Sequence, residues 1–254
     1  MKYSILTFNF NSYELFREPN EIDIECDYVY VTDNVDLLKI EKTNWRIIYD
    51  SDLEGKSPIY KSFYVRYHSL KYCNTDIVFI LDASFIIKQS LRPIYDKFIE
   101  SNVDICLSCN IYCTTAQGDI EWFTKFRNLS EHDNQRLHLL CLSYLPSVYK
   151  GHFESGFQIV DNSKEITRRF HRQIWITSLY LGENDTPLRV DEVVMSCVFY
   201  KYFQKLKVMP VCRQVIQSRY ITYCFHNTDK PKRKLIDLKR CFFLNKRIKP
   251  ILFR

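Results

Sequence analysis

Short apolar runs alternate along the chain with stretches whose apolar positions recur every three or four residues. Tyr3–Phe10, Cys26–Thr32 and Trp45–Tyr49 are rich in β-branched and aromatic residues and are predicted as strands. Asp33-Asn34 and Asp50-Ser51-Asp52 close the second and third with turn chemistry. Ile59–Tyr72 contains no Gly or Pro and spaces its apolar positions as a helix. Asp76–Leu81 (DIVFIL) is nearly continuous in apolar residues, as expected of a strand covered on both faces. Leu91–Glu100, with Pro93 in its first turn, is a predicted helix, and Val103–Ser108 a strand. Residues 119–150 are ambiguous apart from a helical pattern over Gln135–Tyr144. Gly156–Val160 and Lys207–Val211 are short strand candidates, and Glu165–Tyr180 and Val190–Tyr202 amphipathic helices. This order predicts an α/β protein, a Rossmann-like three-layer domain around a mainly parallel sheet with right-handed crossovers. No repeat or linker-like shift precedes residue 229, so the expected division is one domain, 1–228, and a tail, 229–254.

Composition narrows the class. Of the 254 residues 46% are hydrophobic and 26% charged, which excludes a disordered or low-complexity chain. No apolar run approaches the length of a membrane span. The opening Met1-Lys2-Tyr3-Ser4-Ile5 has none of the features of a secretion signal, so a cytoplasmic location is expected. Ten cysteines without such a signal point to a reducing compartment. The cluster Cys106-x2-Cys109-x3-Cys113 lacks a second ligand pair at zinc spacing. These thiols, like Cys73, Cys141, Cys197 and Cys224, are expected as small buried hydrophobes.

The net charge of +6 is unevenly spread. Lys230–Arg254 carry +9, leaving −3 on the rest. Phe242, Phe243, Leu244, Ile248, Ile251, Leu252 and Phe253 interleave with that charge. The mixture suits peripheral attachment to an anionic membrane surface at its inner face, and a solvated basic segment is the alternative. Nucleic acid would also attract such a tail, but the body carries no nucleic-acid motif and is slightly acidic, so none is expected as a partner.

Ligands of parallel α/β sheets bind beyond the carboxyl ends of the strands. Asp33, Asp50 with Asp52, and Asp82 stand at such ends. Most informative is Asp82, at the tip of an apolar strand with a second apolar segment, Phe85-Ile86-Ile87, close behind. A carboxylate there needs a compensating cation or donor. It could serve a hard divalent ion that in turn grips a diphosphate, or simply cap a loop.

The run of strand, acidic position and apolar segment resembles the nucleotide-sugar site of GT-A glycosyltransferases, including their family-eight branch. A group of GT-A-like proteins first grouped as a domain of unknown function is similar over a longer stretch. The residues that carry the likeness are Thr7 with Tyr13-Glu14 and Pro19, Cys26-Asp27-Tyr28 to Thr32-Asp33, Trp45, and Tyr60-Lys61. Further along come Pro146-x4-Gly151-x2-Glu154-x-Gly156, Asn162, Trp175 and Arg189-Val190-Asp191-Glu192. Together they span roughly residues 3–205 in order.

That resemblance implies a GT-A-like fold and an enzyme of the hexosyltransferase type. It would move a sugar from a nucleoside-diphosphate donor, a UDP-sugar, to a glycan or lipid-linked acceptor in polysaccharide or glycoconjugate synthesis. It implies a Mn²⁺ or Mg²⁺ ion at Asp82, with Ser84 standing where the family has a second acid, and His226 as a further ligand. Losing that carboxylate weakens the metal site. Thr7 and Asp33 would line the nucleotide, while Lys61, Arg66 and Lys230 would counter phosphate charge; a solvated helix face is the alternative for Arg66. Asp191 and Glu192, at a helix start where the dipole favours ionised acids, would act at the reacting sugar, and Glu154 would touch the acceptor. Inverting and retaining chemistry both fit. The Ser84 substitution also admits a catalytically inactive partner subunit.

Overall fold

The structure, a computed structural model, describes residues 1–109, 115–127, 129–145, 152–183, 186–188, 190–211 and 219–224, and every count below is of these. The tail 229–254, His226, Lys230, Arg189, Cys113 and residues 146–151 lie outside them.

Seven strands form the central sheet. β1 (Tyr3–Asn9) lies parallel between β2 (Cys26–Thr32) and β4 (Ile77–Asp82), and β3 (Arg46–Tyr49) extends the sheet beyond β2. On the other side β7 (Phe153–Asp161) runs antiparallel to both β4 and β6 (Ile105–Cys109). β8 (Val208–Val211) lies parallel to β6 and completes the order β3-β2-β1-β4-β7-β6-β8. The sheet is thus mainly parallel, with one reversed strand, β7, between β4 and β6.

All seven residues of β1 are buried, because both faces of the sheet are covered. Leu6, Phe8, Val78 and Ile80 face one layer; Tyr3, Ile5, Phe79 and Leu81 face the other. The period-two alternation of strand side chains produces this division. The first layer holds α1 (Pro58–Tyr67), α3 (Ala116–Arg127), α4 (Glu131–Tyr144), α5 (Glu165–Leu181) and α6 (Asp191–Tyr202). Opposite lie α2 (Arg92–Glu100) and a two-stranded sheet of β5 (Phe85–Ile87) and β9 (Ile221–Tyr223).

Two elements depart from the sequence expectation. The helix expected over Ile59–Tyr72 stops at Tyr67, where His68 leaves helical geometry and a short 3-10 turn, Ser69–Lys71, follows. The ambiguous region resolves into α3 and α4, the latter capped by the Ser130 hydroxyl, which accepts the Asp133 N–H. Cys26, Cys73, Cys106, Cys141, Cys197 and Cys224 are buried free thiols. Among the described residues no helix is long and apolar enough to cross a membrane.

Candidate functional site

Beyond the carboxyl ends of β1 and β4 the layers part to leave a cleft of about 480 Å³. The loop after β1 makes its rim. Asn9 braces that loop, its amide donating to the Glu14 carbonyl at 2.7 Å and accepting the Glu14 N–H at 3.0 Å. Asn11 and Ser12 take left-handed backbone conformations, φ 57° and 49°, to turn the chain.

Arg66, on the sheet-facing side of α1, reaches the cleft floor with 6% of its surface exposed. Its Nη2 donates to Asp82 at 2.6 Å, and its Nη1 to Asp191 and to the Ser155 hydroxyl. Phe8 and Phe63 rings flank the guanidinium at 5.3 and 5.9 Å. Asp191, at the first turn of α6, also accepts from the Tyr67 hydroxyl at 2.9 Å and from the Ser155 hydroxyl at 3.1 Å. Burial by itself would lower the arginine's pKa; the Asp191 and Asp82 carboxylates outweigh it and hold the charge firmly on. Burial, reinforced by Asp191, raises the Tyr67 phenol well above its ordinary range.

Glu192, the next residue on α6, also lines the cleft. Its Oε1 accepts the Ser155 N–H at 3.2 Å. Burial raises its pKa well above the usual carboxylate range, and Asp119, Asp191 and Glu154 push in the same direction. Behind it, His152 is clamped between Asp119 of α3, at 3.0 Å from Nε2, and Ser196 of α6, at 2.9 Å from Nδ1. Glu154, buried on β7, accepts from the Ser108 hydroxyl at 3.2 Å. Acids therefore outnumber the two nearby basic side chains, Arg66 and His152.

No family model and no curated protein matches the chain. Solved structures do. WbbM, a bifunctional glycosyltransferase in its apo form, superposes with a TM-score of 0.52 at 15% identity, over 98% of this chain and 45% of its own. The fold is GT-A-type. Mouse xyloside xylosyltransferase 1 (TM-score 0.48, 12% identity, 83% of this chain and 85% of its own) and the galactosyltransferase LgtC (0.43, 12%, 82% and 73%) are further matches. The chain spans less than half the length of WbbM.

Against this GT-A-type frame the residues singled out in the sequence fall into three groups. Asp82, Ser84, Arg66, Asp191 and Glu192 line one cleft. Asp33 and Lys61 form an ion pair, 2.8 Å apart, beside its rim, and Asp33 also accepts the Asn11 N–H at 2.8 Å. Thr7 does not line it: its hydroxyl donates to the Leu81 carbonyl at 2.8 Å within the sheet. Glu154 lies behind the cleft wall, and His226 and Lys230 lie outside the described residues. Sequence reasoning passed over Tyr67, Asp119, His152, Ser155 and Ser196. Of these, His152 and Ser155 carry a signal, since both sit inside the Gly151-to-Gly156 motif beside Glu154.

The Asp82–Ser84 pair is a poor seat for a divalent ion. It offers one carboxylate and one hydroxyl, and the Arg66 guanidinium already holds the carboxylate. Among the described residues a different trio, Asp119, His152 and Glu192, brings metal-binding atoms within 4.8 Å of one another. A second hollow, about 540 Å³, lies between α1 and α5; Lys71, Arg168, Arg172 and Trp175 line it without any carboxylate.

Proposed function

We propose that the chain is a glycosyltransferase that moves a sugar from a nucleoside-diphosphate donor to an acceptor hydroxyl. One observation carries the reading: a buried arginine joins carboxylates from β4 and α6 on the floor of a cleft at the carboxyl ends of a GT-A-type sheet. A UDP-sugar donor, a glycan or lipid-linked acceptor and a role in polysaccharide or glycoconjugate synthesis are what the sequence resemblance adds.

The residues divide the work by availability. Asp191 has its oxygens filled by Arg66, Tyr67 and Ser155, so its part is to fix the guanidinium. Asp82 is about one-third exposed and turns its remaining acceptor capacity toward sugar hydroxyls. Glu192 faces the cleft with only the Ser155 N–H recorded on its carboxyl, and is the group that meets the acceptor or the reacting sugar. Exclusion of water by Phe8, Phe63 and Phe123 strengthens each of these contacts. A divalent ion, Mn²⁺ or Mg²⁺, would supply neutralising charge for the departing diphosphate.

Thermal-shift measurements with nucleoside diphosphates and their sugars, each with and without Mn²⁺, test the reading. The expected result is a rise in Tm with one base, together with slow hydrolysis of its sugar that Asp82→Asn reduces. Donor binding with no turnover would assign an inactive partner subunit; no Tm response to any nucleotide removes the transferase reading.

A further inference from the structure

We infer that Asp119, His152 and Glu192 form a binding site for one divalent transition-metal ion in the cleft wall, separate from the Asp82–Ser84 pair. The inference deepens the transferase reading, because the ion would face the same cleft.

The partners of the imidazole suit the tautomer that a metal-bound histidine needs. The Ser196 hydroxyl donates its only proton to the Glu192 carbonyl at 2.9 Å, and accepts the Phe153 N–H at 3.2 Å. In that arrangement it accepts from His152 Nδ1–H at 2.9 Å and leaves Nε2 to an ion, which would replace the proton that otherwise joins Nε2 to Asp119. A histidine whose Nδ1–H is held by a neighbour directs its Nε2 lone pair outward, the usual disposition of a metal-bound imidazole. Nε2 faces the Asp119 carboxylate at 3.0 Å. Two ligand atoms at about 2.1 Å from one ion and at right angles to each other stand about 3.0 Å apart, so this pair already has the spacing of neighbouring ligands.

Glu192 completes the set from the cleft side, where Phe123, one turn beyond Asp119 on α3, lines the same wall. An ion would thus be held by the protein on one side and open to substrate oxygens on the other. Its charge would offset the excess of acids among Asp119, Glu154, Asp191 and Glu192. One nitrogen and two carboxylates favour Mn²⁺, Co²⁺ or Zn²⁺ over Mg²⁺. As a ligand, Glu192 would meet the substrate beside the ion.

The test uses the full chain, stripped with chelator and titrated with Mn²⁺ alone, so that its outcome is independent of any nucleotide. Calorimetry and Mn²⁺ resonance are expected to show one ion per chain, with Co²⁺ giving the visible absorption of a nitrogen-containing site. Asp119→Asn and His152→Gln, neither of which lines the cleft, should weaken Mn²⁺ binding by at least about tenfold, and Asp82→Asn by less than twofold. Because His152 is buried, Ser196→Ala is the companion variant: it keeps all three ligands, frees the ring, and should weaken binding about tenfold. Absence of binding, or binding lost in Asp82→Asn and kept in His152→Gln and Ser196→Ala, overturns the inference and leaves the nucleotide test of the transferase reading standing.

Discussion

Arg66 and Asp82 meet at 2.6 Å on the cleft floor, so the carboxylate at the tip of β4 faces the cavity already paired with a cation. The two partners differ in burial, the arginine side chain being 7% exposed and the aspartate 36%. Removing a buried charge's partner costs far more than neutralising an exposed one. Arg66→Met should therefore destabilise the chain by about 3–5 kcal/mol, since Asp191 is left buried without its cation. Asp82→Asn should stay within about 1 kcal/mol. Urea unfolding of the two variants measures both; equal losses would contradict the geometry.

Asp191 and Glu192 are neighbours with different work, and substitution should separate them. Asp191→Asn loosens Arg66 and is expected to lower both Tm and turnover. In Glu192→Gln the amide oxygen can still accept the Ser155 N–H, so the fold is retained while turnover falls about 10²–10⁴-fold. A nucleotide-sugar turnover assay alongside melting curves reads the split, and a Glu192→Gln chain at full activity would remove that residue from the site.

Thr7 gives a sharper contrast. Its hydroxyl bonds to the Leu81 carbonyl between two buried strands. Thr7→Val should cost about 1 kcal/mol in stability and leave nucleotide affinity unchanged. Direct titration of nucleotide onto the variant decides whether the hydroxyl also serves a ligand.

His171 sets an acid limit. It is buried on α5, 3.2 Å from the Gln158 side-chain oxygen and edge-on to Tyr67. Burial, then the neighbouring charges of His68 and Arg66, push its pKa down to about 3. The unfolded chain takes up this proton near pH 6.5. Its contribution is thus complete above about pH 6.5 and is lost as pH falls toward 3, by up to about 1.4 kcal/mol per pH unit. His171→Gln should flatten the acid limb of a stability–pH profile measured by urea unfolding. Parallel profiles would rule the group out.

How far the sequence discloses this molecule depends on the range of the interaction. The strands of β1, β2 and β4 are written locally in apolar runs, those of β2 and β4 closed by acids, and the tips of β1 and β4 mark the cleft. Strand direction is not written that way: nothing in Phe153–Asp161 tells that β7 runs against its neighbours. β5 shows locally only as the apolar segment Phe85-Ile86-Ile87, and its pairing with β9, far along the chain, is not announced there. Arg66 on a helical face has the look of a solvated cation, and only the arrival of Asp82 and Asp191 makes its burial tolerable. Asp119 and His152 stand 33 positions apart, and packing of α3 on α6 and of α6 on β7 is what unites them.

The pairing of β5 with β9 continues to Cys224, whose N–H donates to the Ser84 carbonyl at 2.8 Å. The last described residue is therefore pinned beside the cleft. The backbone behind Ser84 is thus tied down by a strand from the far end of the described chain, so loosening β9 would slacken the cleft rim as well.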